Sequence, residues 1–415
     1  MESEHAAPMG LVALLRPVTI NMPLLKELWR RLAVSLVLVL SPLSLFAQPA
    51  IDINRPGVDG WQAPIPVSIS GFTGEVDSVL KTDLIFMGIA NVPADQAKYL
   101  ISGNNASRVE GRVIEKINKA QILAKAYTGG SLRSQTHALA DDIAMAITQK
   151  PGIAQTKIAF KGETHGGNSE VYIADYDGHS PQVVTHDQTI AAAPCWAGRS
   201  SLYYASYKLG APKIFSHHLT SGARKLITPF PGSNMSPAVS PDGHRLAMII
   251  SKGGSPDLYV SDRDGGSLKQ LTFTKEAESS PCWSPDNQAI CYVSRERGSA
   301  GLYSISASGG APRRILTTGA SSPTEPDWSP DGKWIAFTSL MRDFQICYIP
   351  AQGGDARVVV PGEDPSWAPN SRALIFSHGP DHSKKLSLLD VPTKQVKDIA
   401  RISESHSQSQ PSWAK

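Results

Sequence analysis

A short phrase recurs along the second half of this chain and limits what it can fold into. PCWAGR (194–199), PAVSPDG (237–243), PCWSPDN (281–287), PDWSPDG (326–332), PSWAPNS (365–371) and PSWAK (411–415) set their prolines 39 to 46 residues apart. A steady period of this size marks a series of like units, each burying a face against the next. After each of the first five anchors comes a β-branched or aromatic run: SLYYASY (201–207), RLAMIIS (245–251), AICYVSR (289–295), WIAFTS (334–339) and ALIFSH (373–378). A second strand follows, as in DLYVSDRDGG (257–266), and then a third, such as LKQLTF (268–273). The runs are too short for helices and are bounded by Gly, Asp, Ser and Pro, so they read as strands. Four short strands per unit make the blades of a β-propeller, not a helical solenoid.

The anchor has a mechanical logic. In Ser-Pro-Asp-Gly, serine suits the first position of a type I turn, proline fixes φ at the second and glycine completes it; Asn287 stands in for that glycine in one blade. Trp196, Trp283, Trp328, Trp367 and Trp413 recur at one strand position and read as plates between blades, not as a cofactor-stacking set. One further unit, KIAFKGE (157–163), EVYIADYDGH (170–179) and PQVVTH (181–186), precedes the first anchor. That makes six blades. The last anchor strand is then expected to pair with Lys157–Glu163, closing the ring and removing its exposed edges.

The chain of 415 residues is too long for one ordinary core. Residues 153–415 are assigned to the propeller and 61–152 to a small α/β domain. In the latter, IPVSISGF (65–72) alternates like a strand, and Val76, Val79, Leu80, Leu84 and Met87 share a helical face. RVEGRVIEKI and AQILAKAYTG read as a hairpin, and Leu139, Ile143, Ala146 and Ile147 mark a second helix stopped by Pro151-Gly152. Residues 1–47 read as a signal peptide: Lys26, Arg30 and Arg31 precede the apolar LAVSLVLVLSPLSLF (32–46), with cleavage near Ala47. That run is short for a bilayer span, which needs about 20 residues. Met22 stands where a signal peptide of ordinary length would start. Residues 48–60 are expected to form a mobile leading segment.

Enzyme chemistry finds little support. There is no Gly-x-Ser-x-Gly elbow, Walker loop or His-Glu-x-x-His. His217 and His218 are adjacent on a strand and point to opposite faces. His137 and Asp141 lie four apart on one helix and read as a helix-surface hydrogen bond, since two ligands make no zinc site. The Asp175–Gly178 and Asp262–Gly265 turns lack the later ligands of a calcium loop. Cys282 and Cys291 flank one hairpin, and free thiols are favoured over a cross-strand disulfide. No catalytic residue, cofactor or metal is assigned. A net charge of +3 gives no electrostatic case for nucleic acid.

Binding is the better reading. The residues just before four anchors, Asn234 and Met235, Glu278 and Ser279, Thr324 and Glu325, Glu363 and Asp364, are expected on loops entering one mouth of the channel. Their four carboxylates favour a basic patch on a partner, or a bound cation. Glu325→Arg with Asp364→Arg is expected to weaken partner binding and leave the fold intact. Near the N-terminus, Ile51 and Ile53 alternate with Asp52 and Asn54 ahead of Pro56, a pattern suited to adding a strand to a sheet edge.

The repeated W-S-P-D-G anchors, the DYDG turn at 175–178, the joint LRSQTHALADDIAMAITQKPGIAQTKIAF (132–160) and the early IDINRPGVDG (51–60) together resemble the TolB family of the Tol–Pal system. Val239 departs from the family's Trp, and Ala197 from its Ser-Pro. The resemblance implies a periplasmic protein linking inner membrane, outer membrane and peptidoglycan, which supports outer-membrane constriction at division and envelope integrity. It also implies that the propeller binds the lipoprotein Pal and that the segment with Ile51, Asp52 and Ile53 engages TolA. A lyase or hydrolase with a channel site, and an envelope scaffold outside the Tol system, are the alternatives.

Overall fold

The computed structural model describes residues 61–415; the signal-peptide reading and the segment holding Ile51, Asp52 and Ile53 lie outside them. Alternation in IPVSIS turns Val67 inward on β1 (Ile65–Ser70). The helix α1 (Gly74–Phe86) buries Val76, Val79, Leu80 and Leu84 and returns the chain to β2 (Ile89–Asn91), parallel to β1. Next come β3 (Tyr99–Asn104), β4 (Glu110–Glu115) and β5 (Gln121–Ala126), the last two forming the expected hairpin. The sheet order is β2-β1-β3-β4-β5, so β3, unassigned from sequence, sits at its centre. The helix α2 (Leu132–Thr148) starts where the Ser131 hydroxyl accepts from the Ser134 amide at 3.1 Å. It ends at Gln149 in the left-handed region, φ 59°.

One close approach in this sheet requires glycine. Gly103 faces Gly111 across β3 and β4, and a Cβ on Gly103 would fall 2.0 Å from the Glu110 carbonyl oxygen and 2.4 Å from the Phe72 ring. We expect Gly103→Ala to cost about 2 kcal/mol through overpacking, read as a lower urea midpoint at unchanged slope.

Six four-stranded sheets follow. Their inner strands are Ala191–Ala197, Asn234–Val239, Glu278–Trp283, Pro323–Trp328, Glu363–Trp367 and Ser407–Trp413, in blades 1 to 6. The last pairs antiparallel with Lys157–Glu163, running from Ser407 opposite Glu163 to Trp413 opposite Ile158, which closes the ring as expected. The anchor turns are built alike. The Gly243 amide donates to the Ser240 carbonyl at 2.8 Å, while the Ser240 hydroxyl accepts from the Arg245 amide at 2.9 Å and donates to Asp242 at 2.5 Å. Ser284 and Ser329 repeat the arrangement. Two of the tryptophans stitch neighbouring blades together: the Trp283 indole donates to the Ala238 carbonyl at 2.8 Å and that of Trp196 to the Ser412 carbonyl at 3.0 Å.

The α/β portion packs on blades 5 and 6, and its core runs into theirs through Ile158, Tyr176, Ile375, Leu388 and Trp413. It meets the propeller on the side of the anchor turns, where Asn370 donates to the Phe86 carbonyl at 2.8 Å and Lys397 to the Thr82 hydroxyl at 2.9 Å. Trp61 stacks on Trp334 and Trp367 with centroids 5.6 and 6.3 Å apart.

One detail of the sequence reading changes here. The helix-surface bond between His137 and Asp141 does not form, because both side chains serve partners beyond α2: His137 is buried against Asp83 of α1 at 2.8 Å, and Asp141 accepts from the Ala154 amide at 2.7 Å. Cys282 and Cys291 stand directly opposite each other in blade 3, and both thiols are free.

Candidate partner-binding channel

Each inner strand contains a proline preceded by a residue with positive φ: Ala193, Ser236, Ser280, Glu325, Asp364 and Gln410, all between 50° and 55°. At each pair the register slips, so that two residues face one on the next strand. The single residues opposite are Tyr204, Met248, Tyr292, Phe337, Phe376 and Phe160, all buried. These are β-bulges. Proline suits them because it gives up a ladder donor where the ladder is already broken. Holding a non-glycine residue in the left-handed region costs about 1–3 kcal/mol. In exchange, the side chain before each proline is aimed at the propeller axis, and all six residues line a central cavity of about 570 Å3.

The ring they form is lopsided. Blades 1 to 3 contribute Ala193, Ser236 and Ser280, whereas blades 4 to 6 contribute Glu325, Asp364 and Gln410. On the polar half each side chain takes the amide of the next bulge residue. Asp364 donates its amide to Glu325 at 3.2 Å, Gln410 to Asp364 at 3.0 Å, and Ala193 to the Gln410 side chain at 2.9 Å. Thr338 donates to Glu325 at 2.7 Å and Ser377 to Asp364 at 2.8 Å. Burial, with Asp364 beside it, pushes the Glu325 carboxyl up to about 8. Toward the anchor turns, Lys415 pairs with Asp327 at 2.7 Å.

The residues expected at the mouth divide by their distance from the proline. Glu325 and Asp364 immediately precede it and point into the channel. Met235, Ser279, Thr324 and Glu363 are one place earlier and half-buried. Asn234 and Glu278 are two places earlier and buried. The Asn234 amide donates to the carbonyls of Phe230 and Gly232 at 3.1 and 3.0 Å. The Glu278 carboxyl accepts from Thr274 and Ser294, both at 2.9 Å, and burial lifts it to about 7. All eight lie within strands, a correction to the expected loops, and four carboxylates do not converge: Glu278 serves the interior of its own blade. Glu363 instead pairs with Lys384 at 2.9 Å in a second cavity of about 320 Å3, lined also by Lys161, Glu163 and His382. Ser236, Ser280, Gln410 and Asp327 were missed, although the residue before each anchor proline was legible.

The mouth with the second cavity is free of the α/β portion, none of whose residues lines either cavity. Around it the turns that follow the strands Ser201–Leu209 and Trp334–Leu340, and one connection between blades, expose apolar side chains: Leu209, Leu340, Phe344 and Phe273, the last 78% exposed.

The profile of the TolB beta propeller domain matches residues 145–415. The chain belongs to the TolB propeller family. Curated relatives include the Tol-Pal system protein TolB of Geobacter sulfurreducens, 38% identical over 98 residues that make up 23% of this chain and 22% of the relative. That of Alcanivorax borkumensis is 23% identical over 268 residues, covering 55% of this chain and 61% of the relative. The chain thus spans between about a fifth and three-fifths of the length of these two relatives. Among solved structures, TolB from Acinetobacter baumannii superposes with a TM-score of 0.74 at 22% identity, over 85% of this chain and 97% of that one. That likeness extends the TolB fold across the α/β portion and the propeller together.

Proposed function

We propose that this chain is a periplasmic component of the Tol–Pal system that binds the lipoprotein Pal at its open propeller mouth and TolA through the segment holding Ile51, Asp52 and Ile53. In this role it ties the inner membrane to the outer membrane and peptidoglycan, and supports envelope constriction at division. The observation that carries the reading is the half-acidic ring of Glu325 and Asp364, recessed in a channel whose rim exposes Leu209, Phe273, Leu340 and Phe344. A protein partner fits such a site: apolar contacts settle on the rim, and a basic group enters toward the carboxylates. Relatives described as Tol-Pal system proteins support looking for that partner within the Tol–Pal system.

The test is calorimetry of the mature chain with the soluble domains of Pal and TolA. The double arginine exchange is unsuited to it, because Glu325 and Asp364 accept hydrogen bonds that hold the ring together. The isosteric pair Glu325→Gln and Asp364→Asn keeps the shape and removes both acidic groups. We expect it to weaken Pal binding at least tenfold. Deleting residues 48–54 is expected to abolish TolA binding and spare Pal. Unchanged Pal affinity in the double variant rules out this mouth, and TolA binding that survives the deletion rules out the segment.

A further inference from the structure

Where the α/β portion meets blade 6, a single imidazole stands between two buried carboxylates that belong to different parts of the chain. His137 of α2 is 4% exposed, Asp83 of α1 1%, and Asp177, in the turn after the blade 6 strand Ser169–Asp175, 6%. The Nδ1 atom of His137 lies 2.8 Å from Asp83 Oδ2. On the other side of the ring, Nε2 is 3.5 Å from Asp177 Oδ2 and has no hydrogen-bond partner among the described residues. Tyr176, fully buried, donates to the second oxygen of Asp83 and presents its ring to the imidazole at 5.8 Å. Trp413 stacks on the far face of Tyr176 at 6.0 Å.

A neutral imidazole carries one N–H and one lone pair. Placed here it can serve Asp83 or Asp177, and then turns a lone pair toward the carboxylate it does not serve. A protonated imidazole carries N–H on both nitrogens and serves both. We infer that His137 is a proton-operated latch: doubly protonated, it ties the α/β portion to blade 6, and losing that proton loosens the joint.

The surrounding charges agree with this. Asp83 faces the ring from α1, Asp177 and Tyr176 from blade 6, and Asp141 lies one turn along α2. Against protonation stand Arg133, one turn back on α2, which bonds Asp177 and also Glu75 at 2.6 Å, and Lys397 from blade 5. Burial alone would depress the imidazole, but the carboxylates of Asp83 and Asp177 outweigh it and hold the group above its ordinary value. A histidine raised by folding contributes stability that is complete below its unfolded value, about 6.5, and is lost as pH climbs through the higher folded value. The latch therefore opens on the alkaline side of the ordinary imidazole value.

The experiment uses hydrogen exchange of the full chain between pH 6 and 9, corrected for the intrinsic rate, at the amides of α2 and of residues 175–179. In the wild type we expect protection there to fall at least tenfold across the range while the strands of blades 2 and 3 hold theirs. His137→Gln should be weakly protected and independent of pH. Asp177→Asn should shift the midpoint to lower pH. NMR titration of the His137 ring gives a reading that does not rely on His137→Gln folding, and its midpoint should exceed 6.5. Flat wild-type protection, the same profile in His137→Gln, a midpoint at or below 6.5, or an unmoved midpoint in Asp177→Asn would each overturn the latch.

Discussion

A chain ending at His406 is expected to lose cooperative folding altogether. Residues 407–413 are the inner strand of blade 6, paired along their length with Lys157–Glu163, so their removal turns a closed ring into an open one with two raw edges. Losses radiate from the gap. Trp413, 2% exposed, leaves a void beside Tyr176 and withdraws the indole donor from Thr156. Gln410 abandons the Ala193 amide, and Ser412 abandons the Trp196 indole. Truncating one buried tryptophan to alanine costs about 3–5 kcal/mol, against a total of about 5–15 kcal/mol for an ordinary domain. Removing the whole strand exceeds that margin. Circular dichroism of the truncated chain should show no sharp thermal transition, and gel filtration should show aggregates. Trp413→Ala should still fold, with a transition lowered by several degrees. A truncated chain melting within a few degrees of the full-length protein would refute closure as the source of stability.

Closure was legible from counting: one more unit, beginning at Lys157–Glu163, precedes the first anchor, and the sixth anchor strand pairs with it. The anchor turns and the tryptophans were equally open to reading, since each repeats one local solution several times. What the sequence concealed lay at longer range. Nothing near His137 announces Asp83, which is 54 positions away and arrives only when α1 and α2 pack together. The strand β3 was missed because Tyr99 and Ile101 alternate over a short run that ends in Ser-Gly-Asn-Asn, a composition that reads as loop. The mouth residues were found in part because a bulge breaks the period of two. Asn234 and Glu278 stand two places further from their prolines than Glu325 and Asp364, and those two steps separate the blade interior from the channel.

The same bulge leads to the last expectation, that Glu325→Gln stabilises the protein and does so increasingly as pH rises. Glu325 sits in the ring with Thr338 and the Asp364 amide as donors, and burial beside the Asp364 carboxylate holds its own carboxyl up to about 8. The sign follows from linkage. An acid whose folded value exceeds its unfolded value keeps a proton in the native state that the unfolded chain has released. Its contribution is complete below the unfolded value, near 4.5, and is lost as pH climbs toward the folded value near 8. Each unit of difference is worth about 1.4 kcal/mol, so the wild type should lose several kcal/mol relative to Glu325→Gln across that window. Above pH 8 Glu325 is ionised in the folded chain as well, and the gap should level off. Urea unfolding of the two proteins at pH 5, 6.5, 8 and 9 measures this directly. The retained proton also bears on partner binding: a basic group entering the ring favours ionised Glu325, so binding should expel the proton and tighten between pH 6 and 8. Stability curves that run parallel for the two proteins would show that Glu325 is already ionised at neutral pH, and the proton-linked part of the channel's action would fall with them.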